Sequence, residues 1–179
     1  MAMVTTRKVW TLAELHSLPD DGNKYELIHG ELFVTPPPTD EHETILARLT
    51  RLLDPFAAVN GLGFVYRARA VLRFEGSEVE PDLMVRQPDV GPGPDWDAAP
   101  TPILVVEVLS GSTRRRDQQQ KKDYYMEAGV GEYWIVDPER RAVTVVQPGA
   151  SERVERERLT WTPAGVASGL MLTLVDIFG

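Results

Sequence analysis

Ile103-Leu-Val-Val-Glu-Val-Leu109 is an apolar run broken once, by the carboxylate of Glu107. Its length is that of a strand, and its apolar residues fall on both sides of the two-residue alternation. Such a run predicts a strand buried on both faces, as in a sheet covered by helices. A carboxylate buried there alone is expensive. Glu107 therefore needs either a cationic side chain or a metal ion.

The segments on either side add two more charged features. Upstream, Val79 to Val85 reads as a strand containing Pro81-Asp82, and a proline inside a strand marks an edge or an irregularity. Taken alone, Asp82 is an ordinary turn or strand-end carboxylate. If its strand pairs with that of Glu107, two carboxylates converge at one point of a sheet, which is what a hard divalent cation requires. Downstream, Ser112 or Thr113 begins a polar helix that ends at Gly129. In it Arg114, Arg115, Arg116, Lys121 and Lys122 outnumber Asp117 and Asp123. Asp117 and Lys121 stand four apart and share a helix face. Lys121 can point back toward the strand ends, or can lie on a solvated face with Lys122.

The rest of the chain supplies the frame. Thr11-Leu-Ala-Glu14 reads as a capping box opening a short helix that Pro19 stops. Lys24 to Val34 reads as a hairpin turning at His29-Gly30. After Pro36-Pro37-Pro38, Asp40 with Glu43 can cap a helix whose apolar face carries Ile45, Leu46, Leu49, Leu52, Leu53 and Phe56. Gly61 and Gly63 end it. Phe64 to Phe74 alternates as one strand, with Arg67, Arg69 and Arg73 on one side. Residues 87–102 read as a loop rich in Pro, Gly and Asp. Glu132 to Asp137 is a strand, Pro138 to Arg141 a turn, and Ala142 to Val146 pairs back. Val154 to Trp161 adds a strand. Tyr133 and Trp134 are expected in the core. The order of elements predicts a mixed α/β sheet flanked by helices.

The chain has 179 residues, 42% of them hydrophobic and 26% charged, which suits one folded domain over 1–179. The expected parts are an N-terminal helix and hairpin (11–35), a core of about 39–147, and C-terminal strands (153–179). Residues beyond about Gly149 have no assignable role. The absence of cysteine excludes disulfides, thiolate zinc sites and Cys nucleophiles. The first residues lack the apolar core of a signal peptide, and no run has the ~18 apolar residues of a membrane span. A cytoplasmic protein is the expectation. The formal net charge of −8 argues against a polyanion partner, although a local basic patch can still dock one.

The order of Pro-Asp, an apolar strand carrying Glu, and then a Lys resembles the Uma-two (Uma2) restriction endonuclease family, within the PD-(D/E)XK nuclease superfamily. The matching residues are Tyr25-Glu-Leu-Ile-His-Gly-Glu31, Glu80-Pro-Asp-Leu83 and Val106-Glu-Val-Leu-Ser110 with Ser112. They continue through Asp117, Lys121, Tyr125, Gly129-Val130 and Glu132-Tyr-Trp-Ile-Val-Asp-Pro138. The last stretch is the most specific.

The resemblance implies a restriction-endonuclease-like core: a central mixed sheet flanked by helices. It implies that Asp82 and Glu107 are metal ligands, with the Val108 carbonyl as a third. The superfamily lysine usually lies two residues after the second acid, where this chain has Leu109. Lys121 on the following helix takes its place, with Lys122 as the fallback. The family pattern also has polar residues at Glu31 and His42. The bland readings there are a strand salt bridge for Glu31 and a helix-terminus residue for His42. Mg²⁺ is the expected ion and Mn²⁺ the substitute, since the ligands are hard oxygen donors. The reaction implied is hydrolysis of DNA phosphodiester bonds, with Arg114 to Arg116 and the Arg67, Arg69, Arg73 side holding the backbone. A homodimer would allow both strands to be cut. Two other readings stand beside it: a silent nuclease-fold module binding DNA or a protein partner, and a metal-dependent hydrolase of a smaller phosphoester.

Overall fold

The structure is a computed structural model. It describes residues 8–88, 96–110 and 114–179, with the side chains of 114–117 outside that description. In chain order the elements begin with α1 (Leu12–Leu15), β1 (Lys24–Ile28), β2 (Glu31–Thr35) and α2 (Asp40–Val59). Next come β3 (Phe64–Arg67), β4 (Leu72–Phe74), β5 (Ser77–Val79), β6 (Leu83–Arg86) and β7 (Leu104–Val108). The chain closes with α3 (Arg114–Glu127), β8 (Tyr133–Asp137), β9 (Ala142–Val146), β10 (Arg153–Glu155), β11 (Arg158–Trp161), β12 (Leu170–Thr173) and α4 (Leu174–Phe178).

The strands form a six-stranded sheet in the order β10-β9-β8-β7-β6-β3, a four-stranded sheet in the order β2-β1-β5-β4, and the hairpin β11-β12. In the larger sheet only β7 and β8 run parallel; β6 pairs antiparallel with β7, and β8 with β9. The mixed sheet with flanking helices is therefore as expected from the sequence. Parallel neighbours need a crossover, and α3 supplies it.

β7 is buried at every position, as its composition requires. Leu104, Val106 and Val108 enter one core with the α2 face of Ile45, Leu46, Leu49, Leu53 and Ala57. Val105, on the other face, enters a second core with Tyr124, Tyr125 and Tyr133. Each fully buried aliphatic or aromatic side chain contributes roughly 1.5–3 kcal/mol. Trp134 and Tyr133 are both core residues.

The β1–β2 turn places His29 at φ 48° and Gly30 at φ 78°, the backbone of a two-residue turn with both central residues left-handed. A Cβ on Gly30 would lie 2.5 Å from Val9 Cγ1. Only glycine combines that φ with that approach.

Four expectations are corrected. Phe64 to Phe74 is not one strand: the chain leaves the large sheet after Arg67 and joins the small one as β4. Val79 to Val85 is likewise split, with β5 in the small sheet and β6 in the large one. Pro81 explains the second break, because it cannot donate to a ladder. The cap of α2 is Thr39, whose hydroxyl accepts the His42 amide at 3.3 Å, and not Asp40. Val154 to Trp161 is two strands, of which β10 edges the large sheet and β11 pairs with β12. The Ser112 or Thr113 helix start, and residues 89–95 of the expected loop, lie outside the described residues. Among the described residues no helix is long and apolar enough to cross a membrane.

Candidate active site

Asp82 immediately precedes β6. The β6–β7 register pairs Leu83 with Val106, and its continuation by one residue sets Asp82 across from Glu107. Both are buried, at 6% and 7% exposure. The Val108 amide donates to Asp82 Oδ2 at 2.9 Å. α2 brings His42 to the same oxygen, Nε2 to Oδ2 3.0 Å. The helix start places His42 in the first turn, on the face that packs inward.

Two lysines complete the cluster. On α3, Lys121 and Tyr125 are four apart and so share a face. Lys121 Nζ donates to Glu107 Oε1 at 2.8 Å and to Glu26 Oε1 at 3.0 Å. The Tyr125 hydroxyl donates to the same Glu107 oxygen at 2.5 Å. From β1, Lys24 Nζ donates to Asp82 Oδ1 and to the Glu80 carbonyl, each at 3.1 Å. It also lies 3.9 Å from Glu26 and 4.0 Å from Glu107. Glu26, on β1 beside Lys24, is fully buried and accepts the Glu80 amide at 3.0 Å.

The network sorts the charges. Burial pushes Asp82 up, but Lys24 and His42 outweigh it and hold the carboxyl far below its ordinary value. Glu26 is also held low, with Lys121 and Lys24 overcoming burial. Glu107 goes the other way: burial raises it, opposed by Lys121 and aided by the neighbouring Asp82 charge. Burial pulls both lysines down, yet their carboxylates win and both stand above the ordinary lysine value. They are ammonium ions. His42 is raised as well, because Asp82 outweighs its burial.

A cleft of about 330 Å³ opens over the cluster. Lys24, His42 and Asp82 form its floor, and Pro36 to Pro38, Arg67 and Arg69 stand around it. A smaller recess of about 80 Å³ adjoins it and reaches Glu107, Val108 and Lys121. Among the described residues no group of three or more His, Asp or Glu side chains forms a ready metal cage. A hard divalent ion that keeps its waters needs only one or two carboxylates. The Lys24 ammonium already marks a cation position, bounded by oxygens of Asp82, Glu80, Glu26 and Glu107. The donor set therefore fits such an ion, in competition with Lys24.

The residues singled out in the sequence divide accordingly. Asp82, Glu107, Lys121 and His42 converge. Lys122 does not: it pairs with Glu152 at 2.8 Å, away from the cluster. Glu31 stands apart, accepting from Gln120 at 2.9 Å. Arg67 and Arg69 border the cleft but pair with Glu43 and Asp20. Arg73 belongs to another surface, with Glu78 and Asp97. The side chains of Arg114, Arg115, Arg116 and Asp117 lie outside the described residues. Sequence reasoning missed Lys24 and Glu26 as site residues, and gave Tyr125 no role. The signal available for the first two was their place in the Lys24-Tyr-Glu26 alternation, which puts both on one face of β1.

A family model described as "Uma2: Putative restriction endonuclease" matches residues 12–174. Among solved structures, the chain is similar to a protein from Anabaena variabilis described as "a putative nuclease belonging to DUF820". The two are 20% identical, with a TM-score of 0.76 over 94% of this chain and 97% of that one. At that identity the likeness shows a shared fold. No curated protein matches.

Proposed function

We propose that this chain, which belongs to the Uma2 restriction endonuclease family, hydrolyses DNA phosphodiester bonds with the help of a divalent metal ion, Mg²⁺ or in its stead Mn²⁺. One observation carries the reading. Asp82, in the floor of the cleft, and Glu107, in the recess that adjoins it, stand across from each other on paired strands, with Lys121 on Glu107. Buried carboxylates whose pKa values are displaced by burial and by specific charge partners, set in a cleft, are candidates for a functional site.

Asp82 and Glu107 would hold the ion, with the Val108 carbonyl as the third candidate ligand. Such an ion polarises a phosphate oxygen and acidifies a water. Lys121, an ammonium held between Glu107 and Glu26, would offset charge that builds on phosphorus. It would not serve as a base, since its proton is held tightly. His42 and the Val108 amide fix the orientation of Asp82. Arg67 and Arg69 at the cleft rim would hold the backbone, which positions it without reading its sequence. The whole chain would act as one unit, and cutting both strands would take two copies.

The test is cleavage of a panel of plasmid and single-stranded DNA with Mg²⁺ or Mn²⁺. Asp82→Ala and Glu107→Ala should each abolish cleavage. Undiminished cleavage by both variants would sink the assignment. A second reading, a silent module that binds DNA or a protein partner, is favoured by one fact: the carboxylates are already neutralised by Lys24 and Lys121. No cleavage together with no metal binding by calorimetry would select it.

A further inference from the structure

Lys24 stands outside the family's Pro-Asp, Glu and Lys positions, yet its ammonium occupies the space between the two carboxylates. It lies 3.1 Å from Asp82 Oδ1, 3.1 Å from the Glu80 carbonyl, 3.9 Å from Glu26 and 4.0 Å from Glu107. It also faces outward: its side chain is 17% exposed and lines both the cleft and the recess. An ammonium and a divalent ion repel strongly when they stand that close among buried carboxylates. They cannot stand at one position between the two carboxylates.

We propose that Lys24 is a tethered counter-ion of the metal site. It fills the cation position in the metal-free protein and swings into the cleft when a divalent ion binds. The inference rests on the metal-dependent reading above. The chemistry suits lysine, a compact charge on a flexible stem. Lys121 cannot play this part, because Glu26 and Glu107 clamp it from two sides. The arrangement keeps Glu26, Asp82 and Glu107 compensated before metal arrives, so the carboxylates hold their positions. It also has a consequence. The displaced ammonium joins Arg67 and Arg69 around the cleft, so metal binding and anion binding favour each other.

Two measurements test this on the full chain. In the first, wild-type protein is acetylated at its amines with and without saturating Mg²⁺, and the sites are read by mass spectrometry. Lys24 labelling should rise several-fold with Mg²⁺, while Lys8, already 55% exposed, stays constant. Unchanged or reduced Lys24 labelling in metal-loaded protein overturns the inference. In the second, Mg²⁺ binding to Lys24→Met is measured by calorimetry, with circular dichroism to establish the fold. Affinity should rise at least tenfold over wild type, and equal or weaker binding overturns the inference. If Lys24→Met does not fold, the labelling result decides alone. The underlying reading fails separately: wild-type protein that binds no Mg²⁺, or binding that Glu107→Ala leaves intact, removes the metal site itself. Binding that Glu107→Ala abolishes, with Lys24 unresponsive, removes only the counter-ion.

Discussion

Glu26 is the most deeply buried charged residue among the described residues. Its carboxylate is fully buried, so desolvation alone would expel it or protonate it. It stays ionised because Lys121 and Lys24 flank it and the Glu80 amide donates to it. Removing one member of a buried charge set strands the others. Glu26→Ala should therefore cost ~3–5 kcal/mol, read from urea unfolding at constant m. A loss below about 1 kcal/mol would mean that the lysines find other partners. Tyr125→Phe is a milder change, keeping the ring and removing one donor to Glu107. It should cost ~1.5–3 kcal/mol in the same experiment, the usual range for a hydrogen bond to a charged group. At this scale the sequence was legible where a charge interrupts an apolar run, as Glu107 does. Glu26 gave no such signal. Half-buried hairpin strands alternate polar and apolar residues as a matter of course, and nothing local to Lys24-Tyr-Glu26 says that the polar face meets Asp82 and Glu107 from another sheet.

The elements deliver these residues, and α2 is the clearest case. Its N-terminus is fixed by Thr39, and the first turn carries Asp40, Glu41 and Glu43, which favour the positive end of the helix dipole. The same turn presents His42 to Asp82. Thr39→Ala should lower stability by about 1 kcal/mol, or a fall of ~2–4 °C in the thermal midpoint for a chain of this size. An unchanged midpoint would mean that water or a neighbour replaces the hydroxyl. Helix periodicity made α2 readable almost to its ends, and the hairpin was readable from His29-Gly30. The strands around Asp82 and Ala68 were read as continuous because the alternation of apolar residues runs through both breaks. Only pairing partners distinguish one long strand from two that switch sheets. Pro81 was the single local sign, and it marks an irregularity without saying that the chain changes sheet.

For the whole molecule, the question is what the last thirty residues do. Sequence patterning left them without a role, because β11, β12 and α4 are each too short to show a strand or helix period. Packing gives them one. Trp161, Leu159, Leu172, Leu174 and Ile177 are buried in the same core as α2 and β7. Trp161 sits edge-on to Trp134 of β8, ring centroids 6.1 Å apart, and tilted against Phe56 of α2 at 5.6 Å. The segment thus covers the α2 side of the sheet, opposite the face that carries Glu107. Its loss would expose that core without touching the carboxylates. Trp161→Ala should cost ~3–5 kcal/mol, since a large cavity opens between two aromatic neighbours. That is a large share of the ~5–15 kcal/mol that holds a typical domain together. Deleting residues 150–179 removes all five buried side chains at once, and the shortened chain should show no cooperative urea transition. A sharp transition at the wild-type midpoint would show that the core closes without them, and that β11, β12 and α4 are an accessory to the fold instead of a wall of it.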